Sequence, residues 1–226
     1  MKKLTKLFIV VMILAITTPS MAQKFGIKAG LNLSTMQYEI GDFNLGKDFK
    51  MTPGFHVGPT VEIPFSNIFS LEASVLASTK GFRLNLDETI EGMEADGKIV
   101  ASILYVDIPV TPKVTIDLGV LKIYGLVGPY VGVGIVGVTR TETTINDETD
   151  TEDDEIEWGE DAEEGGGMKR LDYGLTVGVG VEIKSFQIGA NYNYGLANLE
   201  ADTELDWTLK NKVLGISLAY KFGGDN

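Results

Sequence analysis

The chain has no cysteine and a single histidine, His56, among its 226 residues. Without cysteine there is no disulfide framework, no thiolate metal site, no thiol nucleophile and no acylated lipoprotein anchor. One histidine cannot make a His–His metal site, and no acidic stretch has the fixed glycine spacing of an EF-hand loop. Bases are scarce: 19 Lys and Arg stand against 32 Asp and Glu, for a net charge of −13. That balance lacks the basic footprint of a nucleic-acid binder. Long apolar runs are also missing. Past the N-terminal segment none reaches the roughly 18 residues of a transmembrane helix. Even so, 44% of the residues are hydrophobic, too many for a disordered chain, and the length fits one domain of about 200 residues.

The N-terminus reads as an export signal. Lys2, Lys3 and Lys6 precede the apolar run Leu7–Ile16, and Ser20, Met21 and Ala22 form a small–x–small cleavage site. Residues 1–22 are expected to be removed. The mature domain then spans 23–226, and the loss of three lysines takes its charge to −16.

What recurs in that domain is alternation. From Leu171 to Ile183 the odd positions are all Leu, Tyr, Val or Ile, and the even ones are Asp, Gly, Thr and Glu. Seven further segments behave similarly, at about 24–38, 54–65, 68–84, 98–114, 120–140, 186–198 and 208–222. The polar face is rich in glycine, serine and asparagine, such as Gly26, Gly30, Asn32, Ser74, Gly128 and Asn191. Small residues of this kind suit a crowded interior better than a solvated strand face. Short and long connections take turns, as in outer-membrane barrels. Phe25, Phe65, Phe69, Phe186 and Phe222 all fall at one end and on the apolar parity, like an interfacial girdle. The expectation is an all-β, eight-stranded antiparallel up-and-down transmembrane β-barrel, with short periplasmic turns, longer external loops and both termini in the periplasm. Pro59, Pro109 and Pro129 lie inside expected strands, where breaks or bulges should accommodate them.

Lumen parity collects opposed charges: Lys28, Glu62, Glu72, Lys80, Asp107, Lys122, Asp172 and Glu182, with Lys113 and Lys184 on the same face. Burial demands partners, so these should form an internal charge network that fixes barrel shape. His56 shares parity with Ser70, Ser74 and Ser78. A lipid hydrolase would need such a site to face the bilayer, so a hydrogen-bonded lumen histidine is the expectation. Gly132, Gly134 and Gly137 spell G-x-G-x-x-G, but in mid-strand, without the helix that a dinucleotide site requires. No cofactor is implied.

Residues 141–164 hold 13 acids and no base. Such a block repels itself, and the stretch 141–168 is expected to be a flexible, acidic external loop, a candidate for weak divalent-cation binding. Arg140, Lys169, Arg170 and Lys210 near the outer strand ends suggest a collar on lipopolysaccharide phosphates.

Phe25–Ser34 (FGIKAGLNLS), Tyr105–Lys113 (YVDIPVTPK), Tyr124–Tyr130 (YGLVGPY), Tyr173–Glu182 (YGLTVGVGVE), the stretch ending at Leu199 (NYGLANL) and Leu214–Phe222 (LGISLAYKF) span the mature chain in order. In this ordered set the chain resembles the PorT-like outer-membrane β-barrel family of Bacteroidetes-type bacteria. The resemblance implies an eight-stranded outer-membrane barrel and, for some members, an accessory role in protein secretion. The expected protein is a monomeric, non-enzymatic envelope-integrity or interaction protein, too narrow for a wide pore. The alternatives are a secretion-apparatus accessory that contacts other envelope proteins and, third, a lipid-modifying enzyme.

Overall fold

The structure, a computed structural model, describes residues 23–40, 43–44, 49–90, 93–145, 148–159, 167–201 and 207–223. The export signal at 1–22 lies outside the described residues. Twelve strands follow in chain order: β1 (Lys24–Ile40), β2 (Phe43–Asn44), β3 (Phe49–Lys50), β4 (Thr52–Pro64), β5 (Phe69–Ser74), β6 (Leu76–Ile90), β7 (Met93–Asp117), β8 (Lys122–Ile145), β9 (Glu148–Glu155), β10 (Leu171–Ile183), β11 (Phe186–Gly195) and β12 (Trp207–Phe222).

Nine of these stretches close a ring of eight strands. β1 pairs with β12 from Phe25↔Phe222 to Ile40↔Trp207, and with β4 from Lys24↔Glu62 to Ser34↔Thr52. Pairing then runs from β4 through β5 and β6 to β7, β8, β10, β11 and back to β12, antiparallel throughout. β5 and β6 keep one register against both neighbours and are two halves of a single strand. The result is an eight-stranded antiparallel barrel, as the alternation predicts.

Proline explains the irregularities. In the β4 register Pro59 faces Val75, the residue that separates β5 from β6. Val75 donates its N–H to the Pro59 carbonyl at 3.0 Å, but Pro59 has no N–H to return. Between β7 and β8 pairing stops after Pro109↔Tyr130 and resumes at Lys113↔Leu126. Pro112 and Pro129 lie within that gap. A separate bulge in the β7–β8 ladder leaves Ile135 without an opposite residue. Ile135 and Val136 therefore both face outward, and the parity of β8 reverses beyond this point.

Burial is inverted relative to a soluble protein. Exposed positions include Ile27, Leu31, Val127, Val177, Val179, Ile216 and Leu218, whereas Glu72, Lys80, Lys113, Asp172 and Asn211 are almost fully enclosed. The hydrophobic face points outward, as lipid requires. All five phenylalanines of the predicted girdle are exposed at the end where β1 starts and β12 finishes, the end of the described termini Gln23 and Gly223. Tyr173, Tyr192 and Tyr194 are exposed toward the other end. Phe186 and Tyr194 stand about 26 Å apart along β11 at about 3.3 Å per residue, or about 20 Å in height at the usual tilt, close to the apolar band of a barrel wall.

The external connections correct the expectation of loose loops. β6 and β7 continue to Ile90↔Met93, β8 continues to Ile145, and β9 folds back on β8 from Ile145↔Glu148 to Val138↔Glu155. Much of 141–168 is thus a β-hairpin rather than a flexible loop. Thr139, Thr141, Thr143, Thr149 and Thr151 are β-branched and suit a strand, and β7 supplies a template for β8. Asp147, Glu160, Asp161, Glu163 and Glu164 of the acidic block lie outside the described residues.

Candidate functional site

The lumen is divided into layers. Nearest the termini, three lysines interlock with three glutamates. Lys113 Nζ reaches Glu62 Oε2 at 2.9 Å and also pairs with Glu182. Lys221 Nζ pairs with Glu62 and reaches Glu72 at 3.1 Å and Glu182 at 3.2 Å. Lys28 closes the set on Glu72. Ser70 donates to Glu62 at 2.8 Å, Lys113 donates to Gln187 at 3.3 Å, and the Lys113 ammonium lies 4.6 Å from the centre of the Tyr124 ring. The charges balance: each buried carboxylate has a cation, Lys113 and Lys221 each meet several acceptors, and Lys28 meets Glu72 alone.

Farther from the termini, Lys80 bridges Asp107 and Asp172, both at 2.8 Å. Tyr130 Oη and Asn211 Nδ2 donate to Asp172 at 3.2 and 2.9 Å. The Tyr105 and Tyr130 rings flank the ammonium at 4.5 and 4.8 Å, a cation–π enclosure. Above this layer Met36, Ile103, Tyr105, Met168, Ala197 and Leu199 form an apolar plug. Its connections fold inward through Lys169 N–H to Leu199 O and Leu199 N–H to Leu209 O, both at 2.8 Å.

A polar cavity of about 60 Å³ lies between the charge layers, lined in part by Lys28, Asn32, His56, Thr176 and Ser217. Asn32 Nδ2 faces three acceptors, Phe55 O, Ser78 Oγ and Thr79 O, each at 3.1 Å. Its Oδ1 is thereby turned to His56 Nδ1 at 2.7 Å, which must carry the proton. His56 Nε2 then accepts from Ser217 Oγ at 2.9 Å. The serine partner is Ser217 on β12, not the serines of β5 and β6: Ser70 bonds Glu62, Ser74 bonds Thr60 and Ser78 bonds Asn32. The Ser–His–Asn order is that of a hydrolase relay, but it opens on a small enclosed lumen rather than on the bilayer.

Seven of the eight lumen-network residues meet in these two layers. Lys122 does not. It is the first residue of β8, its side chain is 43% exposed, and it pairs at 3.3 Å with Asp117 across a periplasmic turn. Gly119 N–H and Lys122 both bond Asp117 and hold its carboxyl below the usual range. Lys184 lies in the two-residue turn between β10 and β11 with φ +53°. Lys221 is the cation that the sequence reading missed, although Phe222 beside it marks its inward parity. The G-x-G-x-x-G glycines make room: a methyl on Gly132 would strike Asp107, one on Gly134 the Trp158 ring and one on Gly137 Ile156.

The four collar residues do not form a ring at one height. Arg170 O accepts from Gly134 N, whereas Arg140 lies six residues farther along β8, about 20 Å at strand spacing. Both arginines also have protein partners. Arg140 forks onto Asp153 at 2.7 and 2.9 Å, and Arg170 lies 4.8 Å over Trp158 and donates to Gly134 O at 3.1 Å. The hydrogen bonds from Arg140 hold the Asp153 carboxyl below its ordinary value. Lys169 and Lys210 are half-buried. Among the described residues no group of three His, Asp or Glu is placed to hold a metal ion.

A closed antiparallel ring with an apolar outside, an ion-paired inside and aromatic residues at both rims defines an outer-membrane β-barrel. The family comparison agrees: residues 21–200 match the family described as outer membrane protein beta-barrel domain, and the chain belongs to it. Solved structures similar to this chain include Ail, the attachment invasion locus protein of Yersinia pestis, at 15% identity and TM-score 0.36, covering 89% of this chain and 99% of that one. OprG from Pseudomonas aeruginosa is similar at 14% and 0.41, covering 89% and 97%. Neisserial surface protein A is similar at 12% and 0.33, covering 88% and 97%. No curated protein sequence matches the chain.

Proposed function

We propose that this outer-membrane barrel is a non-enzymatic envelope protein that acts through its external, acidic hairpin. The observation that carries the reading is the extension of β8 and β9 beyond the barrel wall, with Asp150, Glu152, Asp153, Asp154 and Glu155 exposed on it. The lumen supports the same reading from the other side. Two ion-paired layers and an apolar plug obstruct it, which leaves the external surface to do the work. A photo-crosslinker at Thr149 on intact cells tests this. Adducts that vanish when β9 is replaced by a short turn support it; no adducts, or adducts independent of β9, overturn it.

An accessory role in protein secretion is the second reading, from the PorT-like motifs. Tyr105, Asp107 and Lys113 of YVDIPVTPK are buried in the lumen layers, so that stretch bears on the scaffold rather than on a partner. Stable co-purification with an envelope complex would favour this reading. For lipopolysaccharide, Lys169, Arg170 and Lys210 remain the proposed phosphate contacts. Neutralising all three should reduce lipid A adducts in native mass spectra, and unchanged adducts would reject them. Weak divalent-cation binding at the acidic block is tested by calcium titration of hairpin amide shifts. A mature N-terminus at Gln23, read by mass spectrometry, tests the export signal.

A further inference from the structure

The external sheet consists of β6, β7, β8 and β9, and among the described residues β9 pairs with β8 alone. Its other edge has no strand partner among the described residues. The direction of its backbone groups follows from two bonds. Ile156 N–H donates to Gly137 O at 2.9 Å, so even-numbered residues of this stretch turn their N–H toward β8. Thr151 N–H instead meets the side-chain Oδ1 of its own neighbour Asp150 at 3.0 Å. Thr149, Thr151, Asp153 and Glu155 therefore present their backbone donors and acceptors away from the sheet. The side-chain pairs Thr144–Thr149, at 3.0 Å, and Arg140–Asp153 are the close cross-strand pairs expected of that register.

We propose that this edge accepts a strand from a protein partner: a basic, extended Lys- or Arg-rich segment that adds to the sheet by β-augmentation. The proposal rests on the reading that the hairpin is the working surface, and it names the partner class. Charge selects the occupant. Asp150, Glu152 and Asp154 line one face of β9, and Asp153 and Glu155 the other. Among the described side chains of β9 there is no base, and Arg140 neutralises only Asp153. A second copy would set one acidic edge against another, which like-charge contact across a strand pair disfavours. A basic strand would place cations beside carboxylates on both faces while its backbone satisfies the outward row.

The full-length barrel in detergent micelles is titrated with two labelled peptides of equal charge, an alternating Lys-Thr octamer and an alternating Lys-Pro octamer. Proline removes the donors needed for strand pairing. The Lys-Thr peptide is expected to bind at least tenfold more tightly, and both should weaken as salt rises. Thr151→Pro removes one outward N–H and leaves the ladder to β8 intact, so it should erase the difference between the peptides. Equal binding of both, or a preference that survives Thr151→Pro, overturns the strand-addition inference while the acidic-surface reading stands. No binding of either peptide overturns both. A micellar dimer that Thr151→Pro dissolves would assign the edge to a second copy and overturn the basic-partner assignment.

Discussion

Lys80 and Asp172 meet at 2.8 Å with neither side chain exposed, on strands β6 and β10 that are not neighbours in the ring. The contact crosses the lumen and ties opposite walls of the barrel together. Lys80 also holds Asp107, so one ammonium serves two enclosed carboxylates. Removing it leaves both without their cation, a large cost in a low-dielectric interior. Lys80→Ala should destabilise the barrel by about 3–5 kcal/mol, read from urea unfolding in micelles. Lys80→Met with Asp107→Asn and Asp172→Asn should recover most of that loss. If the triple variant is no more stable than the single one, unpaired charge is not the cause.

The layer nearest the termini separates two lysines of similar sequence appearance. Lys221 touches three glutamates, whereas Lys122 has one exposed partner. Lys221→Met should cost several kcal/mol by the same reasoning. Lys122→Met should stay within about 1 kcal/mol, as exposed pairs do. Equal losses would contradict the placement of Lys122 outside the lumen network.

Lipid contact predicts a depth dependence on the outer wall. Val179 and Ile216 are outward in mid-strand, and Val120 is outward in the turn between β7 and β8. Lysine at Val179 or Ile216 should cost about 2–4 kcal/mol, and lysine at Val120 about 0–1. Unfolding from bilayers measures both. A penalty at Val120 as large as at Val179 would displace the proposed membrane boundary.

The external hairpin should loosen in acid through Asp153. Its folded-state pKa is depressed by Arg140. The stabilisation is therefore present above the unfolded value, near 4, and fades as pH falls through the lower folded value. The difference between wild type and Asp153→Asn isolates the pair. Cross-hairpin NMR contacts between β8 and β9 should weaken in wild type relative to the variant below about pH 4. A difference that does not change with pH would sink the assignment.

Both charge layers and the plug lie across any conduction path. Reconstituted in planar bilayers, the barrel should show no steady ion current. Shortening the plug with Met168→Ala and Leu199→Ala should not open it, because the Lys80 layer remains below. Sustained wild-type current would refute the sealed lumen.

Alternation by itself determined the eight wall strands, because a period of two leaves each side chain only two directions; the small residues of the polar face and the alternating short and long connections decided that the apolar face points outward and that the strands run antiparallel. Phe25, Phe65, Phe69, Phe186 and Phe222 likewise marked one membrane interface from sequence, since their parity and their strand-end positions coincide. Three things were decided only in the folded barrel. Ring closure set which lumen residues meet: it brought Lys221 of β12 onto Glu62 and Glu72, and left Lys122 at a turn although its parity is inward. The extra residue at Ile135 reversed the parity of β8, which no periodic reading carries through a bulge. Strand pairing ordered the acidic hairpin, because the template offered by β8 and the Arg140–Asp153 pair offset a repulsion that, read along the chain alone, pointed to a loop.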